Sequence, residues 1–439
     1  MRRFQHRFQR AAFLGITLLL LLRTASALGE TSVSFTPLFP RVGDYVDVNV
    51  TTDSGSVKGI RYHLSLDGEK IFSSRKAESR TATSFRPRKE GVYTLEVTVL
   101  LPANRTETTS IAIPVSGSAP VQRGADIIYS QMDGWWRQVL YTGSHAHTLE
   151  SSGCAVFTLS HALQRLGLKG DEVLPDRLVG PFGQYYSEGL GARSEALFTQ
   201  AGLRFGYETA HRLVTAEDEI VSFLARGDLF TLGIVKRHTV LVDGIDTENR
   251  KIHIVDSCPE TTFEKLGRTP AYIRLEDGTW QTVCSAEEIP GTRWFFETSR
   301  FGGAGYWLDL DFCAKRGLRL IRRPWLTLVT ADGEISVSPD TFGPENSTVT
   351  VSRESRTVPT AALRWTCDGA DGPLLAVVTG ERSVNLTHRN GDRVEKYGAV
   401  PAGSTLAALR VNDERVYVYW RGMYAYLGRE DVELKTPGS

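Results

Sequence analysis

The chain of 439 residues carries 51 Lys plus Arg against 51 Asp plus Glu, with 41% hydrophobic and 23% charged residues. That composition excludes a disordered, collagen-like or coiled-coil chain, and the balanced charge supplies no field for a nucleic-acid backbone or an anionic membrane. At the usual domain size the length predicts about three domains.

The N-terminal residues read as an export signal. Arg2, Arg3, Arg7 and Arg10 form a basic region, Ala11 to Leu22 a short apolar run, and Ala25-Ser26-Ala27 a cleavage site, so residues 1–27 are expected to be a signal peptide. About twelve apolar residues are too few to cross a bilayer, and no later run is long enough, so no spanning helix is expected after cleavage. The expected location is secreted or cell-surface associated. Oxidising surroundings would let Cys154, Cys258, Cys284, Cys313 and Cys367 pair. The odd one out is taken to be Cys154, which alone opens an amphipathic helical pattern. Cys258 with Cys284 and Cys313 with Cys367 are the expected pairs, although four cysteines permit three connectivities and spacing does not choose. No C-x-x-C pair or Cys/His cluster argues for zinc, and no metal or organic cofactor is implied.

Residues 30–117 alternate apolar and polar: Val46, Val48, Val50; Ile60, Tyr62, Leu64, Leu66; Tyr93, Leu95, Val97, Val99; Ile111, Ile113, Val115. With breaks at Asp67-Gly68 and Glu90-Gly91, this period predicts an antiparallel sandwich. The stretch Gly91 to Val97 resembles bacterial immunoglobulin-like modules. Ser116 to Pro120 reads as a linker.

Residues 121–315 mix helical and strand periods and predict an α+β domain. Ala155, Val156, Leu159, Ala162, Leu163 and Leu166 share one helix face, with Gly167 as the stop. A second helix is expected over Ala216 to Arg226, introduced by Thr215 and Asp218 at capping-box-like spacing. Strands Leu229–Val235, Thr239–Ile245 and Lys251–Val255 follow, the last two joined by Asp246 to Arg250. Residues 320–375 show strand-like pieces with weak turns and read as a β-rich linker unit. Residues 376–436 are again all β; Val384-Asn385-Leu386, Val400 to Ser404 and Tyr417-Val418-Tyr419-Trp420 resemble the bacterial SH3-type barrel, although Gly422, Tyr424, Tyr426 and Leu427 replace its usual ending. That resemblance implies either binding to cell-wall peptidoglycan or packing against a catalytic partner.

The chemistry centres on a thiol. A nucleophilic cysteine must be a thiolate, and two levers achieve this: a helix N-terminus and an adjacent imidazolium. Ser151-Ser152-Gly153-Cys154 leads straight into the first helix, and His238 begins a strand. If Ile245 pairs with Lys251, Val240 lies opposite Asp256, and His238 is the diagonal neighbour of Asp256 on the same face, within side-chain reach. A one-residue slip turns Asp256 away and leaves Asp243 or Asp246 as substitutes. An isolated cysteine is more often a small core residue, and a histidine at a strand edge an ordinary surface one.

Together these residues resemble the papain-like cysteine peptidases of the bacteriocin-leader-peptidase-like branch. That family's Q-x-D-x-x-W, S-G-C-G-P-T, H-x-V-V-V-x-G and D-P motifs find counterparts, in order, in Gln131 to Trp136, Ser152 to Phe157, His238 to Gly244 and Asp256-Ser257. The chain departs from them in Ala155-Val156-Phe157, in Ser257 where the family has proline, and in Thr148 where a glutamine is often found. The resemblance implies a Cys154 nucleophile, a His238 general base and acid, Asp256 as orienting carboxylate and Gln131 as an oxyanion donor, acting on a peptide or protein substrate.

Other features carry less. His145 and His147 read as a polar loop before Cys154. Phe301 to Tyr306 is glycine-rich without the order a nucleotide site needs. Lys315 to Arg323 reads as a solvated basic linker. Asn49, Asn104, Asn346 and Asn385 lie in glycosylation sequons, without meaning in a typical bacterium. Two alternatives stand beside the peptidase. One is a peptidoglycan stem-peptide hydrolase, whose families more often show D-C-S-G and a third-member histidine. The other is a catalytically silent papain-like binding module.

Overall fold

The computed structural model describes residues 31–438 except 54–55, 120, 142–145, 183–185, 188–190, 193, 210–212, 236–237, 268, 352–353, 391–392 and 421–422. The expected signal peptide, Pro120, His145 and Gly422 lie outside the described residues. The protein is multidomain and β-rich, dividing into one compact unit of residues 1–121 with 294–299 and a second of residues 122–293 with 300–439.

In the first unit, β1 (Thr31–Thr36), β2 (Val46–Thr52), β3 (Gly59–Leu66), β4 (Glu69–Ser73), β5 (Ala82–Phe85), β6 (Gly91–Leu100) and β7 (Thr106–Val115) form two sheets. One has the order β4-β3-β6-β7, and the other joins β1, β2 and β5. The period-two pattern decides which side chains go in: Val46, Val48, Val50, Ile60, Tyr62, Leu64, Leu95, Val97 and Val99 are buried, with polar residues between them. Trp294-Phe295-Phe296, distant in sequence, belongs to this core. Phe295 pairs parallel with Ser84, Phe296 N–H donates to Thr83 Oγ1 (3.1 Å), and the Phe296 ring lies 5.1 Å from Tyr62 and 5.9 Å from Phe85.

The second unit opens with helices α1 (Leu149–Ser152), α2 (Cys154–Arg165), α3 (Pro175–Phe182), α4 (Ser194–Phe205) and α5 (Glu217–Ala225). Strands β8 (Leu229–Val235), β9 (His238–Asp246) and β10 (Lys251–Asp256) follow, then α6 (Pro259–Leu266), β11 (Ala271–Arg274), β12 (Trp280–Val283), β13 (Ala304–Asp309), α7 (Leu310–Arg316) and β14 (Leu318–Arg322). The sheet order is Glu208–Thr209, β14, β8, β9, β10, β13, β11, β12. Val240, Val242, Ile252 and Ile254 turn to one face, where Ile220, Phe223 and Leu224 of α5 cover them. The alternate residues Leu241 and Val255 are equally buried. Helix α2 is tied to β9 by Thr158 Oγ1 donating to the Thr239 carbonyl (2.9 Å), which fixes the helix carrying Cys154 against the strand carrying His238.

The remaining strands are β15 (Leu326–Thr330), β16 (Gly333–Thr341), β17 (Asn346–Val351), β18 (Glu354–Pro359), β19 (Leu363–Arg364), β20 (Leu374–Val378), β21 (Val384–Asn390), β22 (Arg393–Val400), β23 (Thr405–Val411), β24 (Arg415–Trp420), β25 (Met423–Gly428) and β26 (Val432–Lys435). They make a five-stranded sheet, β18-β17-β16-β15-β19, and a seven-stranded one, β22-β21-β25-β24-β23-β20-β26. The apolar core of the α+β region runs without a break into Trp325, Val337, Val349, Leu363, Trp365, Leu375 and Leu409. The last sheet is therefore packed on the α+β body. Tyr417 OH donates to Asp218 Oδ2 (2.6 Å), Arg410 Nη1 donates to the Asp218 carbonyl (3.1 Å), and the Tyr419 ring packs tilted, 5.4 Å from Trp325.

Four expectations are corrected. The basic run is no linker: Lys315 and Arg316 end α7, and Leu318–Arg322 is β14, with Leu318 and Leu320 fully buried and Arg319 pointing away between them. Arg322 is buried too, with Asp228 3.8 Å from its Nε. Helix α5 has no side-chain cap; its N-cap is Ala216, and Asp218 is drawn to Tyr417 instead. No disulfide forms among the five cysteines. Cys313 belongs to the core of the α+β body and Cys367 to the separate core of the last sheet, while Cys258 is buried and Cys284 exposed. Finally, the β9–β10 register starts one residue later than expected, with Asp246 opposite Lys251 and Ile245 opposite Ile252.

Candidate active site

The late start of the hairpin does not turn Asp256 away, because the register shifts back between Val242 and Gly244. Asp243 is the extra residue of a bulge, and beyond it Leu241 lies opposite Val255, which brings Val240 level with Asp256. His238 therefore reaches Asp256 diagonally, and its Nε2 lies 2.9 Å from Asp256 Oδ1. Both side chains are buried, at 3% and 0% exposure.

Asp256 is a fully satisfied carboxylate. Oδ1 also accepts from the Cys258 N–H (2.8 Å), while Oδ2 accepts from Thr262 Oγ1 (2.5 Å) and Tyr306 OH (2.9 Å). Burial works against its charge, but the His238 charge and hydrogen bond, with Thr262 and the Cys258 amide, outweigh burial and hold the carboxyl below the usual range. His238 answers in kind. Burial disfavours its proton, yet the Asp256 carboxylate and then Cys154 raise it well above an ordinary imidazole.

Nε2 being taken by Asp256, the other ring nitrogen is left for the Cys154 thiol, to which His238 is hydrogen-bonded. Burial pushes that thiol up; the His238 hydrogen bond and charge, followed by the Thr239 and Ala155 N–H groups, bring it below the ordinary thiol range. Cys154 is partly accessible at the first turn of α2, where the helix dipole favours an anion. Gly153 is required at the α1–α2 joint, since a Cβ there would collide with the Leu149 carbonyl.

Gln131 is 6% exposed and held on three sides. Its N–H donates to the Ser257 carbonyl (3.1 Å), its Nε2 to the Glu150 carbonyl (2.9 Å), and its Oε1 accepts from Ser257 Oγ (3.0 Å). It thus bridges the residue after Asp256 and the turn that delivers Cys154. The rest of its motif is architectural: buried Asp133 accepts from the Trp135 N–H (2.8 Å), and buried Trp136 donates to the Ser130 carbonyl (2.6 Å).

The two substitute carboxylates serve elsewhere. Asp243 binds Arg165 Nε and His253 Nδ1 (2.5 Å), and Asp246 accepts from the Asn249 N–H (2.8 Å) in the hairpin turn. His147 lies beside Ser152 Oγ (3.5 Å). Sequence reasoning missed Thr262 and Tyr306, which lie on α6 and β13 and carry no motif, and His161, fully buried in α2. His161 Nε2 accepts from the Tyr129 N–H (2.8 Å), and burial, then Arg165, pushes its imidazole down to about 3. Among the described residues no group of three or more His, Cys, Asp or Glu is placed to hold a metal ion, and no helix is long and apolar enough to cross a membrane.

No family model matches the chain, and no curated protein gives a significant match. Among solved structures, it aligns with the PKD domain of the human VPS10 domain-containing receptor SorCS2 at 19% identity over 23% of this chain and 89% of that one, with a TM-score of 0.16. Carbohydrate-binding modules of the β-sandwich superfamily align at 9% identity over 68% and 90%, with a TM-score of 0.17. The SGBP-B protein of the Bacteroides ovatus mixed-linkage glucan utilization locus aligns at 10% identity over 88% and 93%, with a TM-score of 0.15. Superpositions this weak carry no argument about fold or function.

Proposed function

We propose that the chain is a papain-like thiol hydrolase that cleaves peptide bonds through an acyl-enzyme on Cys154. The observation that carries this reading is the chain Cys154–His238–Asp256, in which the thiol is lowered and the imidazole raised from their ordinary ranges, so that each favours the charged form of the other. A fully satisfied buried carboxylate is the natural holder of an imidazolium, and a helix start the natural seat of a thiolate.

In the proposed reaction the Cys154 sulfur attacks the carbonyl carbon and the C=O electron pair moves to oxygen. The Cys154 amide and Gln131 Nε2 receive that oxygen. Collapse expels the amine, which takes its proton from His238, and a water activated by His238 then hydrolyses the thioester. Asp256 keeps its charge throughout and orients the ring.

The surroundings support export and a surface setting: a signal-like N-terminus in the sequence, an immunoglobulin-like β-sandwich ahead of the α+β region, and an SH3-type barrel after it. Tyr417 is turned onto Asp218 of the α+β body and Tyr419 onto Trp325 just beyond it. That favours a bracing role for the barrel over capture of peptidoglycan. The test is hydrolysis of an unfolded polypeptide by the full mature chain, compared with purified sacculi and with Cys154→Ser. Release of peptides from the polypeptide, abolished by Cys154→Ser, is the expected result; loss of nothing in that variant would refute it.

A further inference from the structure

The hydrogen bond from Ser257 to Gln131 has a consequence for how an oxyanion is met, and the inference rests on the acyl-transfer reading above. A side-chain amide can be held in either of two orientations that differ by exchange of its oxygen and nitrogen. Here two contacts act together. The Glu150 carbonyl is an acceptor only, 2.9 Å from the amide, so nitrogen must face it. Oxygen then faces Ser257, whose hydroxyl donates at 3.0 Å in a site where Ser257 is 3% exposed. The flipped amide would set two oxygens against each other at the Glu150 contact.

The backbone supports the same arrangement. Gln131 N–H donates to the Ser257 carbonyl (3.1 Å), and Ser130 Oγ to the same oxygen (3.4 Å). Residues 130–131 are therefore fastened to the residue that follows Asp256. Nε2 has two hydrogens; the Glu150 carbonyl occupies one, and the second is available to a substrate oxygen.

We infer that Ser257 is a positioning residue for acyl transfer: its hydroxyl, together with the Glu150 carbonyl, holds the Gln131 amide with nitrogen toward Glu150, four residues before Cys154, so the oxyanion donor is oriented before substrate arrives. Pre-orientation matters because a donor that must turn during the reaction spends part of its stabilisation on the turning. The Ser257 hydroxyl is spent on Gln131, so it acts on the oxyanion donor and leaves the thiolate–imidazolium pair alone.

The experiment uses the full mature chain and two reagents. Iodoacetamide reports the thiolate without an oxyanion, and a p-nitrophenyl acyl ester reports acylation with one. Ser257→Ala should lower ester kcat about tenfold, a part of the hundredfold or more that one oxyanion donor supplies, while leaving the alkylation rate of Cys154 and its pH profile unchanged. Ser257→Thr, which keeps the hydroxyl, should restore kcat. In a Gln131→Ala background, Ser257→Ala should cause no further loss, because the donor it orients is gone. An equal loss in that background, or a shifted alkylation profile, overturns the inference. A wild-type chain whose Cys154 is alkylated no faster than Cys284 overturns the parent reading and takes this inference with it.

Discussion

Replacing Asp256 with asparagine preserves shape and removes charge, which isolates what the carboxylate does for Cys154. Oδ1 faces His238 and the Cys258 N–H; Oδ2 faces the hydroxyls of Thr262 and Tyr306. With the asparagine oxygen toward His238, its amide group meets two hydroxyls that can rotate to accept, so the fold should survive. The His238 bond changes most. A hydrogen bond to a charged partner contributes about 1.5–3 kcal/mol and a neutral one about 0.5–1.5. The difference of about 1–1.5 kcal/mol corresponds to roughly tenfold in the population of the imidazolium–thiolate pair. Alkylation of Cys154 by iodoacetamide, resolved from the other cysteines by peptide mass spectrometry, should therefore slow about tenfold near neutral pH. Its acid limb should move to higher pH, because a weaker imidazolium stabilises the thiolate less. A folded Asp256→Asn chain alkylated at the wild-type rate with the wild-type profile would refute the reasoning.

Three further outcomes follow from the same geometry. Gly153→Ala forces a Cβ onto the Leu149 carbonyl; the strain should cost about 1–3 kcal/mol and displace the sulfur, so Cys154 alkylation should fall more than thermal stability does. Asp243→Ala leaves the Arg165 guanidinium, 8% exposed, without its carboxylate, which should cost about 3–5 kcal/mol in chemical denaturation. His161 is held down to about 3 in the folded chain, whereas the unfolded chain takes up that proton near pH 6.5. Its contribution to stability is therefore lost as pH falls from about 6.5, at up to about 1.4 kcal/mol per pH unit. Melting of His161→Gln should be less acid-sensitive than wild type; an equal slope would contradict this.

The sequence makes period and punctuation legible. Alternation locates β2, β3, β6 and β7, and the three-and-four spacing from Ala155 locates α2, stopped by Gly167 with φ of 89°. What it conceals is non-local competition. Asp218 has the spacing of a helix cap but is taken by Tyr417, nearly two hundred residues away in sequence. The arginines of β14 mask a strand whose Leu318 and Leu320 alternate inward, because charge dominates a local reading even where Asp228 waits for Arg322. Trp294-Phe295-Phe296 gives no local sign that it completes the core of the first unit. The hairpin is more instructive. A register read one residue early and an unforeseen bulge at Asp243 cancel, so Val240 still comes level with Asp256 and His238 meets it, although Ile245 does not pair with Lys251. Bulges depend on what the extra residue can bind, here Arg165 and His253, and no pattern of β9 alone reveals those partners.

The most direct measurement of the central claim is intact-mass spectrometry of the folded chain quenched in acid during turnover of an activated acyl ester. An acyl-enzyme on Cys154 predicts a transient adduct that maps to the peptide holding that residue, fails to form in Cys154→Ser, and forms far more slowly in His238→Ala. A folded chain that never acquires the acyl group, or acquires it on another residue, would contradict the account.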